Sequence, residues 1–242
     1  MTSRIGYMAQ GFTLYDRLTV AENLAFAAKV RGVSAADFTP RRERLLAMAG
    51  LSRFLHRREG ALSGGMRKKL ALCTNLIHEP RLLLLDEPGL GVDPLSRREL
   101  WRMLEAFRRE GSTIVFSTSY MDEAERGDRV VLLDRGRIVA LGTPSELRSR
   151  ASGSVFRVST ERLSEAEEVL RPTPGILGLQ RQASALHVVA RPDAGLASDI
   201  KDQLARLGPV ESVAPSMEDA FLVLRAGSSG GGLERPSELR VA

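Results

Sequence analysis

The chain has 242 residues, 43% of them hydrophobic, which is enough for one sizeable core and a small second unit and excludes a wholly disordered polymer. No run of about eighteen apolar residues occurs, and the opening "MTSRIGYMAQ" lacks the charged region and apolar stretch of a secretory signal, so the expectation is a soluble, cytoplasmic protein. The formal net charge of +5 comes from dispersed arginines, with lysine only at Lys29, Lys68, Lys69 and Lys201, a pattern of solvated faces rather than of one stripe for nucleic acid.

In chain order, Arg4 to Gln10 reads as a short strand. "LTVAENLAFAAKVRG" reads as a helix capped by Thr19, with Glu22 three residues on and Gly32 as its stop. "PRRERLLAMAGL" is a second amphipathic helix, and Met66 to Ile77 a third, closed by Glu79-Pro80. The single cysteine, Cys73, lies among apolar residues in this third helix and reads as a small buried thiol. A strand over Arg81 to Asp86, a helix from Pro94 to Glu110, a strand over Ser112 to Ser117 and a short helix "MDEAERG" follow. Two further strands are predicted over Arg129 to Asp134 and Arg137 to Leu141. Apolar strands alternating with helices point to a parallel sheet covered on both faces.

After Ser149 the rhythm changes. "GSVFRVS", "ERLSEAEEVLR", "ILGLQRQ", "ALHVVAR", "GLASDIKDQLARLG" and "VESVAPS" give a β-α-β-β-α-β order, that of a ferredoxin-like α+β unit, and "MEDAFLVLR" adds a helix. The residues from Gly227 on are rich in glycine and serine and read as a flexible tail.

Two stretches carry chemistry. In "LLLLDEPGLGVDP", four leucines lead into Asp86 and Glu87, and ligands of parallel sheets bind beyond the carboxyl ends of the strands, where this pair would emerge. There one carboxylate can hold Mg²⁺ and the other can polarise an attacking water. In "LSGGMRKKL", Ser63, Gly64 and Gly65 stand before a helix, so that a hydroxyl and unpaired backbone amides face an anion at the positive end of the dipole. Each stretch alone also fits an ordinary helix cap.

In combination, "LSGGMRKKL", then "LLLLDEP", then "GLGVDP" closely resemble the signature motif, Walker B strand and D-loop of ATP-binding cassette (ABC) proteins. Gln10, in "IGYMAQGFTLYDRLTVAENL", is similar to the Q-loop glutamine, and "RVVLLDRGRIVALGTPSEL" looks like the end of a cassette. The resemblance implies an α/β fold of the P-loop NTPase class: part of a cassette over residues 1–150, with a parallel sheet core and a helical subdomain, a ferredoxin-like accessory unit over 151–226 and a tail over 227–242. That accessory unit resembles the appendage of drug-export cassettes of the daunorubicin-resistance type.

The same resemblance implies roles. Glu87, Gln10 and Ser119 fall at catalytic positions, Ser119 where the family has its switch histidine; Asp86 and Gln10 fall at metal positions. Ser63, Gly64, Gly65, Met66 and Asp93 would face ATP and the seam with a second cassette, as homo- or heterodimer. The implied cofactors are ATP and Mg²⁺. The implied partner is a transmembrane permease subunit, with the chain peripheral on the inner face of the membrane and no nucleic acid bound; the short interval from Gln10 to Ser63 leaves no room for the coiled coil of chromosome-maintenance relatives.

Two departures stand out. A serine at 119 is shorter than imidazole and carries no positive charge. No GxxxxGK[ST] occurs in the chain, so the nest of amides and the lysine that cradle the β- and γ-phosphates are missing from it. The expectation is the C-terminal portion of an exporter cassette, unable to hydrolyse ATP alone. The alternative is a non-catalytic or regulatory partner that donates its signature motif to an intact ATPase. The three histidines, His56, His78 and His187, lie elsewhere and read as surface or packing residues.

Overall fold

The computed structural model describes residues 4–11, 14–191 and 194–228, which fall into two compact units divided after Ser119. In the first, strands β1 (Ile5–Met8), β2 (Leu82–Asp86) and β3 (Thr113–Ser117) form a parallel sheet in the order β1-β2-β3. Its register sets Met8 beside Leu85 and Asp86 beside Ser117, so all three strands end at one edge. Four helices accompany it: α1 (Val20–Val30), α2 (Ala35–Ala49), α3 (Gly64–Leu76) and α4 (Pro94–Arg109).

The helix starts are encoded within one turn of sequence. Thr19 and Glu22 form a reciprocal capping box at α1, and Gly32 leaves it with φ 69°. Ser34 caps α2 by accepting from the Asp37 N–H, so this helix begins at Ala35, upstream of the "PRRERLLAMAGL" segment, and carries Pro40 inside it. A proline there removes only one backbone bond near the helix start, and the cap plus the buried Leu45, Leu46 and Ala49 face outweigh that loss.

One face of the sheet, with Met8, Leu83 and Leu85, packs against α3 and α4 through Leu70, Leu76, Leu100 and Leu104, all nearly inaccessible. Each such leucine contributes on the order of 2 kcal/mol by burial. Trp101 meets Phe116 edge to face at 4.8 Å between ring centroids. Gly6 allows the close approach of β1 to α3, since a Cβ there would lie 2.8 Å from the Asn75 carbonyl oxygen. The other face differs from the doubly covered sheet that the alternation predicts: Ile5, Tyr7 and Val115, which share that face, are 39%, 54% and 55% exposed.

The second unit opens with α5 (Met121–Ala124), followed by β4 (Val130–Asp134) and β5 (Arg137–Gly142), which pair antiparallel as a hairpin of their own, and α6 (Pro144–Ser149). Then come β6 (Val155–Ser159), α7 (Leu163–Leu170), β7 (Ile176–Gln182), β8 (Ala185–Ala190), α8 (Ala194–Leu207), β9 (Val210–Ser212) and α9 (Met217–Ser228). The antiparallel sheet order β7-β8-β6-β9 is that of the ferredoxin-like unit the sequence predicts.

Helix α9 serves two cores. Met217, Phe221 and Leu224 pack with Leu132, Ala140 and Leu147 of the hairpin and α6, while Ala220 and Val223 pack with Val155 and Val189 of the sheet. The motif resemblance ends near residue 150, whereas the packing of α9 joins the hairpin and α6 to the antiparallel sheet. Helix α9 runs through Ser228, past the expected start of the tail, and the rest of that tail lies outside the described residues. Among the described residues no helix is long and apolar enough to cross a membrane.

Candidate functional site

The carboxyl ends of β1, β2 and β3 bring one group of residues together. Asp86 closes β2 opposite Ser117, the last residue of β3. The Ser117 hydroxyl donates to Asp86 Oδ1 at 2.6 Å and accepts from the Glu87 N–H at 3.0 Å. Glu87 has left the strand with φ 47°, a region costly for a residue with a Cβ, and its carbonyl accepts from the Leu90 N–H at 3.2 Å in the next turn. That turn aims the Glu87 carboxylate back toward the β3 exit, where Oε2 accepts from the Ser119 N–H at 3.2 Å and lies 3.4 Å from the Ser119 hydroxyl.

Gln10 lies just past β1 and is exposed. Its carbonyl oxygen accepts from Lys68 Nζ at 2.7 Å, a bond that spans 58 positions of sequence. Lys68 comes from α3 and is only 4% exposed. Burial pushes its ammonium below the ordinary lysine range, while Asp86 and Glu87 draw it back upward, so the lysine is electrostatically part of the carboxylate group.

A second group forms where α3 and α4 begin. Ser63 caps α3 by accepting from the Met66 N–H at 3.3 Å, and Asp93 caps α4 by accepting from the Leu95 and Ser96 N–H groups at 3.1 and 2.9 Å. The bond from Ser96 is the main reason the Asp93 carboxyl titrates below its usual range. The two glycines of "LSGG" have different work. Gly65 is buried, and a Cβ on it would lie 2.4 Å from Ser96 Oγ and 2.8 Å from Asp93 Oδ2, so it is the residue that lets the two helix starts approach. Gly64 is exposed beside Ser63, with nothing nearer than the Gly91 carbonyl oxygen at 4.0 Å, and offers open backbone at the positive end of α3.

The predicted residues thus separate into a strand-end group (Gln10, Asp86, Glu87, Ser119) and a helix-start group (Ser63, Gly64, Gly65, Met66, Asp93). Helix α3 connects them, with Ser63 and Lys68 about 8 Å apart along its axis. Ser117 and Lys68 belong to the first group and escaped the motif reading. A signal existed for each: a hydroxyl at the end of a strand whose register neighbour ends in Asp, and a charge inside the apolar stripe of α3.

The oxygen donors at the strand ends suit a hard cation. Among the described residues no three of His, Cys, Asp and Glu form a closed cage. One or two carboxylates with an open side is the way Mg²⁺ is held when phosphate and water oxygens complete its shell. The residues present fit that ion, and Ser117 already orients the Asp86 carboxylate. His78 and His187 lie elsewhere: His78 is buried against the Ile5 carbonyl oxygen at 3.2 Å, and His187 pairs with Asp219 at 2.9 Å.

Comparison with known proteins bears on this geometry. The family model described as "ABC transporter" matches residues 1–89. YbhF of Escherichia coli (strain K12), a probable multidrug ABC transporter ATP-binding protein, is 38% identical over 232 residues, covering 93% of this chain and 39% of its own length. DrrA of Streptomyces peucetius, a daunorubicin/doxorubicin resistance ATP-binding protein, is 34% identical over 194 residues, 78% of this chain and 58% of its own. The chain therefore spans well under two thirds of these relatives. A solved ATP-binding subunit of an ABC transporter superposes with a TM-score of 0.56 at 34% identity, covering 61% of this chain and 62% of that one. The geometry of the strand-end site, the family match across its first two strands and the relatives agree: residues 1–89 match the ABC transporter family, and most of the chain is similar to ATP-binding proteins of that family.

Proposed function

We propose that the chain supplies the carboxylate half of an ATP-hydrolysing site in a cassette that drives a membrane exporter of drugs, lipids or polysaccharides. The observation that carries this reading is the hydrogen-bonded convergence of Asp86, Glu87, Ser117 and Ser119 at one edge of the parallel sheet, with Gln10 leaving the neighbouring strand. Asp86, fixed by Ser117, is the metal ligand, and the Gln10 side chain reaches the same ion and the attacking water. Bound there with ATP, Mg²⁺ supplies neutralisation of the charge that develops on the phosphates. Glu87 orients and polarises the water, and the Ser119 N–H and hydroxyl hold its carboxylate in place, a neutral contact where the family has an imidazole. The phosphate-cradling loop that these groups need is not among these 242 residues.

Ser63, Gly64 and Met66, at the open start of α3, serve the nucleotide of a second cassette, and Asp93 stands at the seam beside them. The partner is a second cassette, identical or different, and a transmembrane permease receives the stroke at the inner face of the membrane; nucleic acid has no part in it. The division into a cassette portion over 1–150 and an accessory unit over 151–226 belongs to this reading.

A second reading, a non-catalytic cassette that only lends its signature helix, is favoured by the uncharged Ser119 at Glu87. Two variants separate the readings. The chain is purified from its producing cell with whatever it binds, and phosphate release is measured with Glu87→Gln and with Ser63→Arg. Loss of at least a hundredfold with Glu87→Gln supports the catalytic reading. Turnover that survives Glu87→Gln and collapses with Ser63→Arg overturns it in favour of the second. The chain alone is expected to show no saturable turnover.

A further inference from the structure

Away from the strand-end site, the second unit holds a cavity of about 280 Å³ where the β4–β5 turn, the end of β8 and the last turns of α9 meet. Its lining includes Arg135 from the turn, Arg191 from the exit of β8 and Arg225 from α9, with Asp134 as the one carboxylate among the described residues and Leu177 and Leu222 as apolar contributions. Three guanidinium groups from three separate elements thus meet at one cavity. Among the described residues neither Arg135 nor Arg191 has a carboxylate within ion-pair distance. All three arginines are exposed, so water screens part of their repulsion, and a bound anion offsets the rest.

Two further features lie at this cavity. The turn residues Arg135 and Gly136 have φ of 48° and 74°, the pairing of a type I′ hairpin, whose first position favours Asn, Asp or Gly. An arginine in that left-handed position is the costlier choice, and its residue lines the cavity. Beside the lining, a Cβ on Gly178 of β7 would lie 2.9 Å from Leu222, and the Arg225 guanidinium carbon is 5.6 Å from the Phe221 ring centroid.

We infer that this cavity binds a phosphate monoester carrying a small organic attachment. Guanidinium forks match phosphate oxygens in pairs, a monoester carries close to two negative charges at neutral pH, and the volume sits at the small end of ligand pockets. The same group could come from a soluble organic phosphate or from the headgroup of a phosphomonoester lipid.

The test uses the full chain with two probes: glycerol 3-phosphate in calorimetry, and flotation with phosphatidylcholine vesicles that contain phosphatidic acid. The variant is Arg135→Asn with Arg191→Gln, and Arg135→Asn keeps a residue the I′ turn prefers, so folding is preserved or improved. Saturable binding of either probe that weakens at least tenfold in the variant, falls with added salt and tightens with Asp134→Asn supports the site. Response to glycerol 3-phosphate identifies a soluble source, and response to vesicles alone a lipid. Equal binding by wild type and variant, or no binding of either probe at millimolar concentration, overturns the proposal.

Discussion

Ser117 and Asp86, opposite one another at the ends of adjacent parallel strands, share a hydrogen bond of 2.6 Å, and the same hydroxyl accepts from the Glu87 N–H at 3.0 Å. One side chain therefore fixes both the rotamer of the first carboxylate and the backbone departure of the second. Ser117→Ala hands the Glu87 N–H and one Asp86 lone pair to water, since both bonds are exposed, and is expected to cost about 0.5–1 kcal/mol. Ser117→Thr keeps the hydroxyl and stays within about 0.5 kcal/mol of wild type. Urea midpoints of the three proteins check this; equal midpoints for Ala and wild type would remove Ser117 from the framework of the site.

Lys68 is held at a net electrostatic cost, since burial outweighs the attraction of Asp86 and Glu87. Lys68→Met keeps the length of the side chain, relieves that cost and forfeits the 2.7 Å bond to the Gln10 carbonyl, so stability should change by no more than about 1 kcal/mol. Lys68→Ala opens a cavity and should cost about 2–4 kcal/mol. If the Met variant falls as far as the Ala variant, the charge itself holds the fold, and its place is structural rather than positional.

The two signature glycines should respond in opposite directions. Gly65→Ala drives a methyl to 2.4 Å from Ser96 Oγ and should destabilise by about 1–3 kcal/mol. Gly64→Ala meets no atom inside 4.0 Å and, in a helical first turn, should stabilise by up to about 1 kcal/mol. Thermal melts of the two single variants decide it, and a shared sign would refute the division of labour.

Burial pushes the Cys73 thiol up to about 12. In the unfolded chain the thiol ionises near its ordinary value of about 8.5, so its contribution to stability is complete below that pH. As pH rises further the unfolded state releases its proton first, and stability falls by about 1.4 kcal/mol per unit until the folded value is reached. Between pH 8.5 and 10 the wild type should therefore lose about 2 kcal/mol more than Cys73→Ala does, read from denaturant midpoints of each protein at the two pH values. Parallel slopes would mean that the thiol is accessible in the folded state.

The sequence by itself determined whatever is settled within a turn or two of chain. Thr19 with Glu22 and Ser63 with Met66 are caps that act across three residues, and the structure has both where the sequence allows a cap; Asp93 caps α4 across the same interval, a role the motif reading did not assign it. The β-α-β-β-α-β order was legible for the same reason, because periodicity and turn residues are local. The start of α2 was not, since Pro40 reads as a beginning while the Ser34 cap and the buried face of the helix override it.

Tertiary structure alone decided the contacts that join distant segments. Ser117 reaches Asp86 across 31 positions and Lys68 reaches Gln10 across 58, through strand register and helix packing that no local pattern encodes. Strand partnership is likewise non-local: the apolar runs of β4 and β5 fit a parallel sheet or a hairpin equally well, and the two-residue turn at Arg135-Gly136 closes them on each other. The convergence of Arg135, Arg191 and Arg225 is of the same kind, since dispersed arginines look like solvated faces until the fold gathers three of them around one cavity.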